Sequence, residues 1–307
     1  MKQFKSVLDV MNHFRDDKTC IEHIINKRWG GKPVCVKCGN MDKIYRIEGG
    51  KRLKCSACKQ KFSITVGTVF EGIHISLQKA FAAVYLITAH KKGISSCQLA
   101  RDLGITQKTA WLLLHKIRQT AEQKAPQMLT GITQADESFV GGKNKNRHKD
   151  KKVKESQGRS VKDKTPIFGL LNNGQVINQV IPDTKAETLK PIIADMVQKG
   201  SIIVTDEWNA YNGLNADFQH EVIKHNEGEY VTGTGFSTNG LEGYWSLFKR
   251  GIYGIYHYAS PKHLHRYTQE FAYRYNTRGI TDVQRFNNTL CRIDGKLTYK
   301  KLVKYDF

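Results

Sequence analysis

Seven residues of this sequence have the types and spacing that chemistry needs. Four are cysteines in two CxxC pairs, Cys35/Cys38 and Cys55/Cys58. Each pair sets two thiolates on one tight turn, and two such turns complete a tetrahedron, the arrangement of a closed structural zinc site. The other three are carboxylates: Asp136 in ADESFVGG, Asp206 in VTDEWNAY and Glu242 in STNGLEGYWSLFKR. An all-oxygen donor set suits magnesium, which keeps part of its water shell. Two ions so held would activate an attacking oxygen and stabilise the leaving oxygen of a phosphodiester.

The elements that must position these groups follow from local pattern. Between the cysteine pairs, KIYRIEGGKRLKC reads as strand, Gly-Gly turn and strand, which makes residues 1–66 an N-terminal helix and zinc ribbon. Residues 67–125 change to helical spacing. A buried helix starts at Ser76; Leu99, Ala100 and Leu103 pack a short helix, Gly104 supplies a turn, and Thr106 caps a second helix with Ala110, Leu113, Leu114 and Ile117 inward. That is the pattern of a helix-turn-helix, with Gln107, Lys108 and Trp111 facing a major groove, although a helical hairpin has the same spacing. Residues 126–280 alternate as strand, strand, strand, helix, strand, strand, helix, a mixed α/β domain. A polar, cation-rich loop spans 144–164, and 281–307 reads as a C-terminal tail. Asn-Asn-Gly predicts a hairpin, Thr184 to Glu187 a capping box, Pro191 a kink, and Ser260-Pro261 the start of a last helix.

Asp136 and Asp206 lie at strand ends, where mixed sheets collect ligands. Glu137 and Glu207 adjoin them but alternate to the opposite faces. Glu242 has two readings. With Asn239 as N-cap it is a capping-box acid ahead of the stripe Leu241, Tyr244, Trp245 and Phe248. Alternatively it faces a metal. His225 is either a structural hydrogen bonder or a group that orients phosphate or water.

Composition narrows the partners. The 307 residues hold 49 Lys+Arg against 28 Asp+Glu, a net charge of +21, so a polyanion, nucleic acid first, is the expected partner. No apolar run is long enough to span a bilayer and no export signal opens the chain, so a reducing cytoplasmic setting, near the nucleoid, is expected. The seven cysteines are then metal ligands or free thiols rather than disulfides, with Cys20, Cys97 and Cys291 expected as buried thiols.

The motifs named above, CKQKFSITVGTVFEGIHI and the long block FSTNGLEGYWSLFKRGIYGIYHYASPKHLHRYTQEFAYRYNTR together resemble the DDE transposases of bacterial insertion sequences, in the ISXO-like branch with an N-terminal zinc ribbon. The resemblance implies a multidomain α+β chain: zinc ribbon, helix-turn-helix and a ribonuclease-H-like mixed α/β catalytic domain. It implies Asp136, Asp206 and Glu242 as magnesium ligands, with manganese able to substitute, and Lys249 with Arg250 as DNA contacts. Asn239 is the alternative third ligand. Expected partners are double-stranded DNA, as terminal inverted repeats and target, and a second copy of the chain or more. A zinc-ribbon DNA-binding regulator, or a metal nuclease without strand transfer, would share much of this pattern.

Overall fold

The computed structural model describes residues 4–122, 128–142, 147–154, 160–228, 231–233 and 235–304. Of the expected basic loop, 144–146 and 155–159 lie outside the described residues. The chain opens with α1 (Val7–His13), α2 (Asp17–Trp29), β1 (Ile44–Ile47), β2 (Arg52–Cys55) and β3 (Lys61–Ser63), followed by α3 (Leu77–Ala89), α4 (Ser96–Leu103) and α5 (Gln107–Gln119). Next come β4 (Ile132–Gly141), β5 (Lys164–Asn172), β6 (Gln175–Val180), α6 (Ala186–Met196), β7 (Ile202–Asp206), β8 (Gln219–Ile223), α7 (Asn239–Gly251) and α8 (Pro261–Asn276). It closes with α9 (Asp282–Leu290) and α10 (Tyr299–Val303). Two compact units result: Met1–Ala121 with Gly279–Phe307, and Glu122–Arg278. No described helix is long and apolar enough to cross a membrane.

In the first unit the ribbon is the antiparallel sheet β1-β2-β3. Ser76 starts α3 by accepting the Lys79 N–H, and the helix is buried along Ala80–Tyr85 because it is apolar nearly all round. Gly104 ends α4 with φ of 58°, and Thr106 caps α5 by accepting the Thr109 N–H at 3.2 Å. Ribbon and helices, which the sequence presents as successive regions, share one core that runs from Cys35, Cys55 and Phe62 through Phe81 and Leu114. Residues 281–307, expected as a tail, fold into this unit instead. α9 packs on α3, Phe286 is fully buried, and Arg285 donates to the Thr88 carbonyl at 3.0 Å. The reason is plain in the α9 sequence, where Val283, Phe286 and Leu290 make one apolar stripe under a Thr281–Gln284 capping box.

The second unit is built on a five-stranded sheet of order β6-β5-β4-β7-β8. β6, β5 and β4 are antiparallel; β4, β7 and β8 are parallel. Asn173-Gly174 turns β5 into β6, the hairpin expected from Asn-Asn-Gly. The faces separate cleanly. Ala135, Phe168, Leu170 and Ile203 pack with α6 residues Leu189 and Ile193 on one side. Ile167, Leu171 and Val176 pack with Leu241, Tyr244, Trp245 and Phe248 of α7 and Phe271 of α8 on the other. α6 departs from expectation at two points. Its cap position is Lys185, with no capping side chain; the Lys185 N–H and Thr188 hydroxyl both go to Asp183 Oδ1, so Thr184 does not form a box. Pro191 lies inside the helix, which continues through it to Met196.

Candidate active site

Asp136 and Asp206 are brought to one height by register. β4 pairs with β7 through Ile132↔Ile202, Thr133↔Ile203 and Gln134↔Val204, and each aspartate stands two residues beyond the last of these pairs. Alternation puts both on the same face. Ala135 and Ile203 point to the α6 side, so Gln134, Asp136, Val204 and Asp206 point to the α7 side. Both aspartates are half-buried. Asp136 Oδ2 accepts the indole N–H of Trp245 at 3.0 Å, and Asp206 Oδ1 accepts the Trp208 backbone N–H at 3.1 Å. Glu137 turns the other way and is buried, accepting the Tyr211 hydroxyl. Burial first, and then the negative charges of Glu137, Asp136 and Asp206, push the Tyr211 phenol well above its ordinary range. Glu207 accepts the Asn226 N–H.

α7 approaches this face by its N-terminus. The capping expectation is corrected here. Asn239 is the first helical residue and exposed; the cap position is Thr238, whose side chain makes no capping bond. The Leu241 N–H is satisfied by Gln134 Oε1 at 2.9 Å, a residue on β4 two positions before Asp136. Glu242 is therefore not a capping-box acid. Its Oε1 accepts the Thr238 hydroxyl at 3.0 Å and lies 3.4 Å from His225 Nε2, which is itself 3.3 Å from Thr238 Oγ1. The Glu242 side chain is 46% exposed and His225 30%. His225 thus stands beside Glu242, within the short turn His225–Glu227 that follows β8. Lys249 and Arg250 are exposed in the last turn of α7. Lys249 is seven residues from Glu242, which returns it to nearly the same side, roughly 10 Å along the axis.

Asp136 and Asp206 share one face of the sheet, and Glu242 stands on the helix whose Trp245 meets Asp136, but the three do not close into a cage. Among the described residues, the one group of three or more His, Cys, Asp or Glu whose ligand atoms all lie within 4.8 Å of one another is Cys35, Cys38, Cys55 and Cys58. There, Cys35 Sγ is 3.7 Å from Cys58 Sγ, and Cys38 Sγ is 3.7 Å from Cys55 Sγ. A tetrahedron with Zn–S bonds of about 2.3 Å needs neighbouring sulfurs about 3.8 Å apart, so the cluster fits zinc. The knuckles are ordinary turns, with the Cys35 N–H on Asn40 O and the Cys55 N–H on Gln60 O. Of the remaining cysteines, Cys20 is buried, whereas Cys97 and Cys291 are exposed, against expectation.

The residues expected to face a groove on α5 make contacts within their own unit. Gln107 Nε2 donates to Ser96 Oγ at 2.8 Å, Lys108 Nζ lies over the Tyr299 ring at 4.7 Å, and Trp111 meets His115 edge-on at 4.5 Å. Gln134 and Trp245 are the site residues that sequence reasoning missed. Gln134 carries no local signal, and Trp245 falls within the apolar stripe of α7.

Residues 128–276 match the ISXO2-like transposase domain, and residues 15–61 match the transposase zinc-ribbon domain. Over 240 residues the chain is 30% identical to an uncharacterized protein in transposable element ISH50 of Halobacterium salinarum, spanning 73% of this chain and 79% of the relative. It is 28% identical over 107 residues to an uncharacterized transposase-like protein of Haemophilus influenzae, spanning 34% of this chain and 85% of the relative. A chain in the crystal structure of a pre-cleavage Mos1 transpososome is similar over 66% of this chain and 75% of that one, at 11% identity and a TM-score of 0.26, a likeness too remote to define this fold. Zinc ribbon and mixed α/β domain together are those of an insertion-sequence transposase. The chain belongs to the ISXO2-like transposases.

Proposed function

We propose that this transposase cleaves DNA strands at the ends of its element and joins the freed 3′-hydroxyls to target DNA, with Asp136, Asp206 and Glu242 as its catalytic carboxylates. The observation that carries this reading is the equal height of Asp136 and Asp206 on adjacent parallel strands, on the face where Asp136 meets Trp245 of α7, the helix that carries Glu242. The strand order, three antiparallel and then two parallel additions, supports a ribonuclease-H-like domain. The donors fit magnesium or manganese: they are oxygen only, part-exposed and open enough for retained water. Such ions supply an activated attacking oxygen and offset charge on the leaving oxygen.

The chain's own residues then have separable tasks. Asp136 and Asp206 hold cations from rigid strands, and Glu242 holds from the helix. His225 and Thr238 restrain the Glu242 carboxylate through the contacts at 3.4 and 3.0 Å. Lys249 and Arg250 grip phosphates beside the reacting bond. Asn239, exposed and one turn before Glu242, is the weaker ligand, since an amide binds a hard cation less well than a carboxylate. α4 and α5 act as a helix-turn-helix that reads the terminal inverted repeats, assisted by the ribbon; Gln107, Lys108 and Trp111 exchange their internal contacts for DNA. Two ends are held by a dimer or larger assembly. With a net charge of +21, binding weakens steeply with salt.

The test is strand transfer with Mg²⁺, a duplex carrying the element's own terminal repeat and a target plasmid. Joined products should form with wild type and Asn239→Ala and disappear with Glu242→Ala. Tight repeat binding without cleavage by folded wild type would point to a regulator, and cleavage without joining to a nuclease.

A further inference from the structure

We propose that Trp245 is a positioning residue for Asp136, setting the carboxylate that binds the catalytic cation and locking the rotation of the helix that carries Glu242. The inference rests on the reading of Asp136 as a cation ligand.

A buried indole N–H needs an acceptor. Trp245 is 4% exposed, and its N–H goes to Asp136 Oδ2 at 3.0 Å rather than to a carbonyl of the core. The approach is built into the sheet. Gly169 is the residue of β5 directly across from Asp136. A Cβ on Gly169 would stand 2.6 Å from Trp245 Cζ2 and 3.0 Å from Cη2, so the ring occupies the space that a side chain would fill. Tyr244 and Phe248 pack on the same indole at centroid distances of 5.0 and 6.2 Å and limit its freedom. A charge-assisted bond from so fixed a donor holds the carboxylate plane. Partners of this kind typically account for about 10–100-fold in metal affinity.

The same bond fixes α7. Trp245 lies one turn after Glu242, so tying its indole to Asp136 sets which way Glu242 faces. Gln134 gives a second tie at Leu241. Both ties start from β4 on the Asp136 face, and between them they determine the helix's position along and around its axis.

The experiment is calorimetric titration of Mn²⁺ into the zinc-loaded full chain, for wild type, Asp136→Asn, Trp245→Phe and Gly169→Ala, with thermal unfolding of each. Trp245→Phe keeps an aromatic ring but loses the N–H; Gly169→Ala keeps the N–H and displaces the ring. We expect Asp136→Asn to abolish the site. Both other variants should bind Mn²⁺ at least about tenfold more weakly, with Trp245→Phe unfolding near the wild-type midpoint. Wild-type Mn²⁺ affinity in Trp245→Phe, with binding lost in Asp136→Asn, would overturn the inference and leave the proposed function standing. Full Mn²⁺ binding by Asp136→Asn would remove the premise itself. Should Trp245→Phe not fold, Gly169→Ala decides, and unchanged affinity there overturns the inference.

Discussion

The thiol cluster of the ribbon and the proposed carboxylate site of the second unit are built on opposite plans. The ribbon's four thiols already lie within 4.8 Å of one another. Short turns hold them, and Cys35 and Cys55 belong to the hydrophobic core. The carboxylates of the second unit come from β4, β7 and α7, remain part-exposed and do not converge so tightly. Soft ligands closed on one ion leave no position for a substrate, which suits a structural site; hard ligands left open keep room for water and a phosphate. Local chain geometry makes the first site, and tertiary contacts make the second. Chelation should therefore damage the fold of one region and only the chemistry of the other.

The largest effect expected follows from that contrast. Removing zinc, or substituting Cys38→Ser, should unfold the ribbon, since bound zinc carries much of the folding free energy of such small sheets. Circular dichroism and limited proteolysis should show cleavage within 35–63, with the sheet of the second unit intact. Protection of the ribbon after complete zinc removal would break the comparison. Next, Asp206→Asn should lower strand cleavage by about 10³-fold or more, the scale of several kcal/mol of lost charge stabilisation. Its unfolding midpoint should not fall, because the asparagine keeps an oxygen to accept the Trp208 N–H. A smaller effect is expected from Gln134→Ala, which removes the side-chain acceptor of the Leu241 N–H and leaves it the Thr238 carbonyl at 3.0 Å: up to about 1 kcal/mol by urea unfolding, together with weakened cleavage as Glu242 loses its register. Stability loss with full activity would show that Glu242 does not depend on this cap.

A separate effect concerns pH. His23 packs edge-on to Phe14 and Phe81, and its buried Nε2 has no hydrogen-bond partner among the described residues. Burial, then the charges of Lys27 and His13, push it down from 6.5 to about 4. The unfolded chain thus binds a proton that the folded one refuses between those values, so the contribution is complete above about 6.5 and is lost as pH falls toward 4. Urea unfolding across that range should show stability rising with pH, less so in His23→Gln. An unchanged slope in the variant would assign the dependence elsewhere.

Much of this was legible in the sequence because it is local. The CxxC pairs, the Gly-Gly and Asn-Gly turns, the Ser76 and Thr106 caps and the Ser260-Pro261 start depend on neighbours a few residues away. The succession of strands and helices along the second unit follows from alternation and length. What could not be read depended on distant partners. Asn239 looked like a cap, yet Gln134, 107 residues before Leu241, supplies the acceptor. Lys108 looked free to face a groove, yet it lies over Tyr299 near the chain's other end. Residues 281–307 looked like a tail because their apolar stripe is short, and only α3 shows where it goes. In sequence Trp245 shows only its hydrophobicity; its N–H gains significance beside Asp136.

The most direct test of the carboxylate site is a thiol exchange. Asp136→Cys and Glu242→Cys should cleave terminal-repeat DNA poorly in Mg²⁺ and recover in Mn²⁺, because a thiolate accepts the softer ion more readily. Recovery by both variants, with no such metal preference in Lys249→Cys, is the result the account predicts. Glu242→Cys or Asp136→Cys cleaving as well as wild type in Mg²⁺ would contradict it.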